Sequence, residues 1–228
     1  MKGFSATYKI VFLAVFLIPS LRLVAQDKSQ EFHNYFYDQR RSFFESVPDT
    51  KNEIILLGDS LTNCANWEEL FPDVNIKNRG ISGDITFGVL DRIEEVISSK
   101  PKQVFILIGI NDISRNIPLE TILANYQAII DRIQKESPRT KIYIQSVFPT
   151  NDGFTQFKTH QGKTDQIILL NGKLEVLAHQ KKVDYINLYP VFSDEFGKLN
   201  KDFTNDGLHL LGKGYAVWAK NLKKYFNQ

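Results

Sequence analysis

Glu53-Ile54-Ile55-Leu56-Leu57-Gly58-Asp59-Ser60-Leu61-Thr62-Asn63 is an apolar run of high β-propensity that stops abruptly at Gly-Asp-Ser. The helical composition of Trp67-Glu68-Glu69-Leu70-Phe71 just beyond places Ser60 where a buried strand hands over to a helix. At the carboxyl end of a parallel strand, such a serine faces the crevice in which open α/β sheets bind ligands, with the positive end of the next helix pointed at it. Gly58 lets the chain turn there without a Cβ clash. Taken alone, Gly-Asp-Ser also reads as an ordinary turn with a helix-capping serine, and the other segments have to decide.

The flanking chain alternates strands with helices. Residues 29–46 carry Phe32, Tyr35, Phe36, Phe43 and Phe44 at largely helical spacing, which predicts an amphipathic helix covering one face of a sheet, ended by Pro48-Asp49. Val74-Asn75-Ile76-Lys77-Asn78 predicts a second strand leading into Arg79-Gly80-Ile81-Ser82-Gly83-Asp84. Residues 85–98 predict one helix with Val89, Ile93, Val96 and Ile97 inward. Val104-Phe105-Ile106-Leu107-Ile108 does not alternate, the mark of a strand buried on both faces, and Gly109-Ile110-Asn111-Asp112 follows it. A helix over 118–136, a strand over 141–148, a polar surface loop over 149–163, a helix over 164–180, a strand over 183–188 and a helix over 212–226 complete the pattern.

That order predicts the α/β class: a three-layer α/β/α sandwich on a mainly parallel five-stranded sheet with right-handed crossovers. The carboxyl-end loops carry Ser60, the 80–84 turn, Asn111 and the 149–163 loop, so these should converge on one rim.

The 228 residues, 43% hydrophobic and 24% charged, are those of one ordinary globular domain with a sizeable core. The amino terminus differs in kind. Lys2 and Lys9 precede the apolar run of residues 10–18, then come Pro19, Arg22 and Val24-Ala25-Gln26. Residues 1–25 read as a signal peptide cut after Ala25, leaving 26–228 as a single domain that is secreted or periplasmic. The run is shorter than the roughly 20 apolar residues a bilayer span needs, so no stable membrane anchor is expected after cleavage. Losing Lys2, Lys9 and Arg22 takes the formal net charge from +2 to −1, which leaves no basic surplus for nucleic acid. Cys64 is the only cysteine; it permits no intrachain disulfide and reads as a small core residue.

Asn205-Asp206-Gly207-Leu208-His209-Leu210 precedes the last helix, and the three-residue spacing lets the Asp206 carboxylate fix the tautomer of the His209 imidazole. A capped helix start with a solvated histidine would look similar. His33, His160 and His179 lack a companion motif and read as surface residues. Two ligands, Asp206 and His209, do not complete a metal site.

Gly58-Asp59-Ser60-Leu61, the Asn78 to Asp84 turn, Gly109-Ile110-Asn111-Asp112 and Asp206-Gly207-Leu208-His209 stand in the order and spacing of the four signature blocks of the SGNH (GDSL) hydrolases. From about Glu53 to Tyr215 the chain resembles that family, above all its platelet-activating-factor acetylhydrolase-like and bacterial acyl hydrolase members. The resemblance implies a flavodoxin-like SGNH hydrolase fold and a cofactor-free, metal-free serine esterase. Ser60 would be the nucleophile, His209 the general base and acid, and Asp206 its orienting carboxylate. The oxyanion hole would be the backbone N–H groups of Ser60 and Gly83 with the side-chain amide of Asn111. Asp59, Arg79, Asp84 and Asp112 are read as supports that bond neighbouring backbone. The elbow Gly-x-Ser-x-Gly of the α/β-hydrolases is absent, since Thr62 stands two residues after Ser60.

The expected substrate is a small-molecule or glycan ester with a short acyl group, acetyl by preference. The 149–163 loop sets Asn151, Asp152, Gln156, Lys158 and His160 around Phe154 and Phe157, a combination better suited to sugar than to a lipid-binding lid. The alternatives are a lysophospholipase or thioesterase acting on a longer chain and, in another class, a non-catalytic glycan- or nucleotide-binding module. Neither Gly-x-Gly-x-x-Gly nor a P-loop occurs to hold a nucleotide.

Overall fold

A computed structural model of the chain describes residues 31–226 and the isolated Gly3; the expected signal segment otherwise lies outside the described residues. Strands β1 (Ile54–Gly58), β2 (Ile76–Gly80), β3 (Gln103–Leu107), β4 (Lys141–Gln145) and β5 (Asp184–Ile186) form one parallel sheet in the order β2-β1-β3-β4-β5. This is the doubly wound order whose direction reverses between β1 and β3, and the ends of those two strands open the crevice where such sheets bind ligands.

Both faces of the sheet are covered, which is why β1 and β3 are buried at every position. Ile55, Leu57, Val104 and Ile106 face one core, shared with the short helices α4 (Thr86–Asp91) and α5 (Ile93–Ser98) and the long helices α7 (Leu119–Glu136) and α8 (Thr164–Lys181). Ile54, Leu56, Phe105 and Leu107 face a second core with α3 (Trp67–Leu70), α9 (Tyr189–Phe192) and α10 (Gly212–Leu222). The split follows from crossover handedness. β2→β3, β3→β4 and β4→β5 all step one way along the sheet and β1→β2 steps the other way, so their helices fall on opposite faces. Each fully buried Leu or Ile contributes about 1.5–3 kcal/mol, so the paired cores hold the strand ends rigidly in place.

Several local expectations change. Helix α1 (Tyr35–Ser46) begins later than expected, with Asn34 capping it through bonds to the Phe36 and Tyr37 amides. It buries Tyr37 and Phe44 beside Ile81, while Tyr35 and Phe43 stay exposed, and the Tyr37 hydroxyl donates to the Gly88 carbonyl. The second strand lies two residues further on than read. The helix expected over 85–98 is two, broken at Arg92, whose guanidinium turns inward to Asp84 and to the Gly58 and Arg79 carbonyls. The last helix ends at Leu222 and tightens into a 3₁₀ turn over Lys223–Tyr225. The 149–163 loop is not all surface: Thr150, Asn151 and His160 are buried.

Candidate active site

Ser60 opens α2 (Ser60–Asn63), a single turn directly after β1. A helix this short offers free amide N–H groups rather than a macrodipole. Asp59 caps it by accepting from Leu61 N–H at 3.0 Å. Gly58 is required by crowding: a Cβ there would stand 2.3 Å from the Leu107 carbonyl oxygen and 2.5 Å from Thr62 Oγ1. The Tyr215 hydroxyl, from α10, donates to the Leu61 carbonyl at 3.0 Å and ties the serine turn to the closing helix.

Asp206 and His209 sit in an irregular turn before α10. One carboxylate oxygen of Asp206 accepts the Leu208 and His209 amides at 2.8 Å each, and the other meets His209 Nδ1 at 2.8 Å. His209 Nε2 then lies 2.9 Å from Ser60 Oγ. Burial alone pushes the Asp206 carboxyl up, but the Leu208 amide and the His209 ring and amide outweigh it and hold the group below the usual aspartate value. Gly207 makes the turn possible: its φ is +84°, and a Cβ would meet the Asn151 carbonyl oxygen at 2.5 Å. Asn151 N–H donates to the Gly207 carbonyl, linking the 149–163 loop to the histidine segment.

Opposite this pair, Gly83 adopts φ +80° and Arg115 donates to its carbonyl at 3.0 Å. Among the described residues the Gly83 N–H has no protein acceptor. Asn111, in α6 (Ile110–Ser114), donates one amide hydrogen to the Asp84 carbonyl at 2.9 Å. Ser60, Gly83, Asn111 and His209 line one cleft of about 440 Å³, together with Cys64, Ser82, Phe157, His160 and Leu208. The arrangement can pass a hydroxyl proton to an imidazole beside uncharged N–H donors. Among the described residues, no cluster of three or more His, Cys, Asp or Glu could hold a metal ion.

Two readings of single residues are corrected here. Cys64 is exposed and borders the cleft, because the chain leaves α2 towards solvent before Ala65 and Trp67 re-enter the core. His160 is buried, with Nε2 3.0 Å from Asn111 Oδ1; burial first, then the charges of His209, Arg115 and Lys163, lower it to about 4. His33 and His179 are exposed as expected. The sequence carried one usable signal for His160, its place in a loop assigned to the site's rim. It carried none for Arg92, which reaches the Asp84 carboxylate and the Gly58 and Arg79 carbonyls, or for Arg115, whose acceptors are the Glu31 and Gly83 carbonyls. Of the four supports, Asp59 and Asp84 bond neighbouring backbone as expected, at the Leu61 and Ile85 amides; Asp112 instead accepts from the Thr86 amide and hydroxyl 26 residues away, and Arg79 pairs with the Glu95 carboxylate.

With that geometry in view, the sequence profile of the GDSL-like Lipase/Acylhydrolase family matches residues 56–217. The chain belongs to this family. As a GDSL-like acylhydrolase it is an ester-hydrolysing enzyme acting on small-molecule esters. It is 29% identical over 196 residues to platelet-activating factor acetylhydrolase IB subunit alpha2 of Rattus norvegicus, covering 83% of this chain and 82% of that one. A solved protein assigned as a platelet activating factor from Streptococcus pneumonia is 30% identical, with a TM-score of 0.75 over 84% of this chain and 91% of its own. A GDSL-like lipase from Bacteroides thetaiotaomicron, 22% identical, shares the fold with a TM-score of 0.73 over 84% of this acylhydrolase and 97% of that chain. Among the described residues no helix is long and apolar enough to cross a membrane.

Proposed function

We propose that this acylhydrolase is an exported serine esterase that removes a small acyl group, acetyl by preference, through an acyl-enzyme. The observation that carries the reading is the continuous contact from Ser60 Oγ through His209 to Asp206, facing the Gly83 and Asn111 donors across one cleft. His209 Nε2 takes the Ser60 proton as Oγ bonds to the acyl carbon, and Asp206 stabilises the imidazolium. The tetrahedral oxygen draws on Ser60 N–H, Gly83 N–H and the free Asn111 amide hydrogen. Collapse expels the alcohol, which leaves with the proton from His209. Water then gives a proton to His209 and attacks the acyl carbon, and Ser60 is restored as the acid departs.

The acetyl preference is supported by the name of the rat relative, an acetylhydrolase. For the alcohol half we favour a carbohydrate. Phe157 is 41% exposed at the cleft mouth and its ring centre lies 4.8 Å from that of His209 with the planes at 74°, an apolar platform among polar groups. The second reading, a lipid ester, is supported by the same relative's name. Export to the periplasm or medium rests on residues 1–25, and the mass of the processed amino terminus tests it.

Ser60→Ala should abolish p-nitrophenyl acetate hydrolysis and fluorophosphonate labelling while circular dichroism stays that of the parent; a fully active variant would end the proposal. Rates on acetylated xylo-oligosaccharide against an acetylated lysophospholipid, with an acyl series from acetate to palmitate, separate the substrate readings.

A further inference from the structure

The Asn111 amide has two polar ends, and its surroundings settle which faces where. Asp84 offers a carbonyl oxygen, which can only accept, so the amide nitrogen lies on that side at 2.9 Å. The amide oxygen therefore turns to His160 Nε2 at 3.0 Å, and because Oδ1 can only accept, Nε2 carries the proton. Both side chains are buried, His160 at 9% exposure and Asn111 at 8%, so water competes poorly for the bond. The ring is itself held. Thr159 Oγ1 lies 3.3 Å from Nδ1, Thr150 donates to the His160 carbonyl at 3.0 Å, and the Phe157 ring meets it edge-on at 5.9 Å.

We propose that His160 is a positioning residue for ester hydrolysis: its Nε2–H bond to Asn111 Oδ1 holds the amide in the orientation that aims its second Nδ2 hydrogen into the cleft. The inference rests on the active-site reading above and adds a residue to it. Without His160 only the Asp84 carbonyl orients the amide, which can then rock its hydrogen away from the developing oxyanion or turn its oxygen towards it. A neutral His160 suits the task, because a second cation beside His209 would oppose the imidazolium that forms during turnover. Its single ring proton is then the one Asn111 engages.

The test combines a tautomer measurement with a mutant cycle. Long-range ¹H–¹⁵N correlation on the full-length wild type should find His160 protonated at Nε2 and not at Nδ1; the reverse tautomer overturns the proposal. On p-nitrophenyl acetate, His160→Leu should lower kcat by about ten-fold or more with KM nearly unchanged, since it weakens one oxyanion donor. His160→Gln, which can still donate near the Nε2 position, should recover most of the loss. In the Asn111→Ala background, His160→Leu should change kcat by less than about two-fold, because its effect runs through the missing amide. Equal losses in both backgrounds, or a change confined to KM, would refute the positioning role. Should His160→Leu not fold, the wild-type tautomer and the His160→Gln rate still decide. A wild type without esterase activity would overturn the active-site reading alone, whereas the tautomer needs no turnover and fails separately.

Discussion

Asn63 and Gly80 hold the serine turn against the second strand: Asn63 Nδ2 donates to the Gly80 carbonyl at 3.0 Å, and the two backbones touch. A Cβ on Gly80 would lie 2.3 Å from Asn63 N and 2.8 Å from the Asp59 carbonyl oxygen, all backbone that cannot swing aside. The same approach sets the position of Ser60, because Asp59 and Asn63 bracket it.

Gly80→Ala should therefore damage stability and activity together. Overpacking of this kind costs about 1–3 kcal/mol, and displacement of α2 should stretch the Ser60–His209 contact. Urea unfolding and p-nitrophenyl acetate turnover measure both. A variant as stable and active as the parent would show that the contact is not limiting.

For Asn111→Ala we expect kcat to fall by about 10² to 10³ with little change in KM, since an oxyanion donor acts only in the transition state. An effect on KM alone would remove Asn111 from the oxyanion hole.

Asp206→Asn keeps an oxygen for the backbone amides but loses the charge opposite His209 Nδ1. Turnover should drop on the order of 10⁴-fold, through the wrong imidazole tautomer and an unstabilised imidazolium. A drop of less than about ten-fold would assign the carboxylate a structural part only.

Asp59 links the site to the pH dependence of stability. Burial raises its carboxyl to about 7 against the Leu61 amide bond, with the Asp84 and Asp112 charges adding to the rise; Oδ2 has no partner among the described residues. The unfolded carboxyl titrates near 3.9. Between about pH 4 and about pH 7 the folded protein thus holds a proton that the unfolded chain has released, so stability falls as pH rises through that window. Asp59→Asn should lose less stability than the parent between pH 5 and pH 7.5, as read from urea midpoints. Asp84 and Asp112, raised by burial to about 6, keep some of the slope. Identical slopes in the two proteins would show that Asp59 is ionised throughout.

Unbroken apolar runs such as Ile54–Leu57 and Val104–Leu107 announced central strands because a parallel sheet covered on both faces buries the side chains on both sides of the strand. The short blocks around Ser60, Asn111 and His209 were readable for a related reason: each is confined to a strand exit or turn, and local chemistry dictates its residue types. Side-chain destinations were not readable from such patterns. Helical periodicity assigned Phe43 inward, yet α1 packs through Tyr37, for whose ring Gly88 leaves room: a Cβ there would stand 3.0 Å from Tyr37 Cε2.

What the sequence determined by itself was the alternation of elements, hence the class of fold, and the residue types able to do acyl chemistry. Only the tertiary structure decided that Arg92 would leave a helix's surface to bind two strand-end carbonyls, that Cys64 would border the cleft, and that His160 would leave solvent for the Asn111 amide. The physical reason is one of range. Periodicity and turn chemistry act within a few residues, whereas a buried polar group takes a partner that only the finished packing brings within reach, here 13, 34 or 49 positions away.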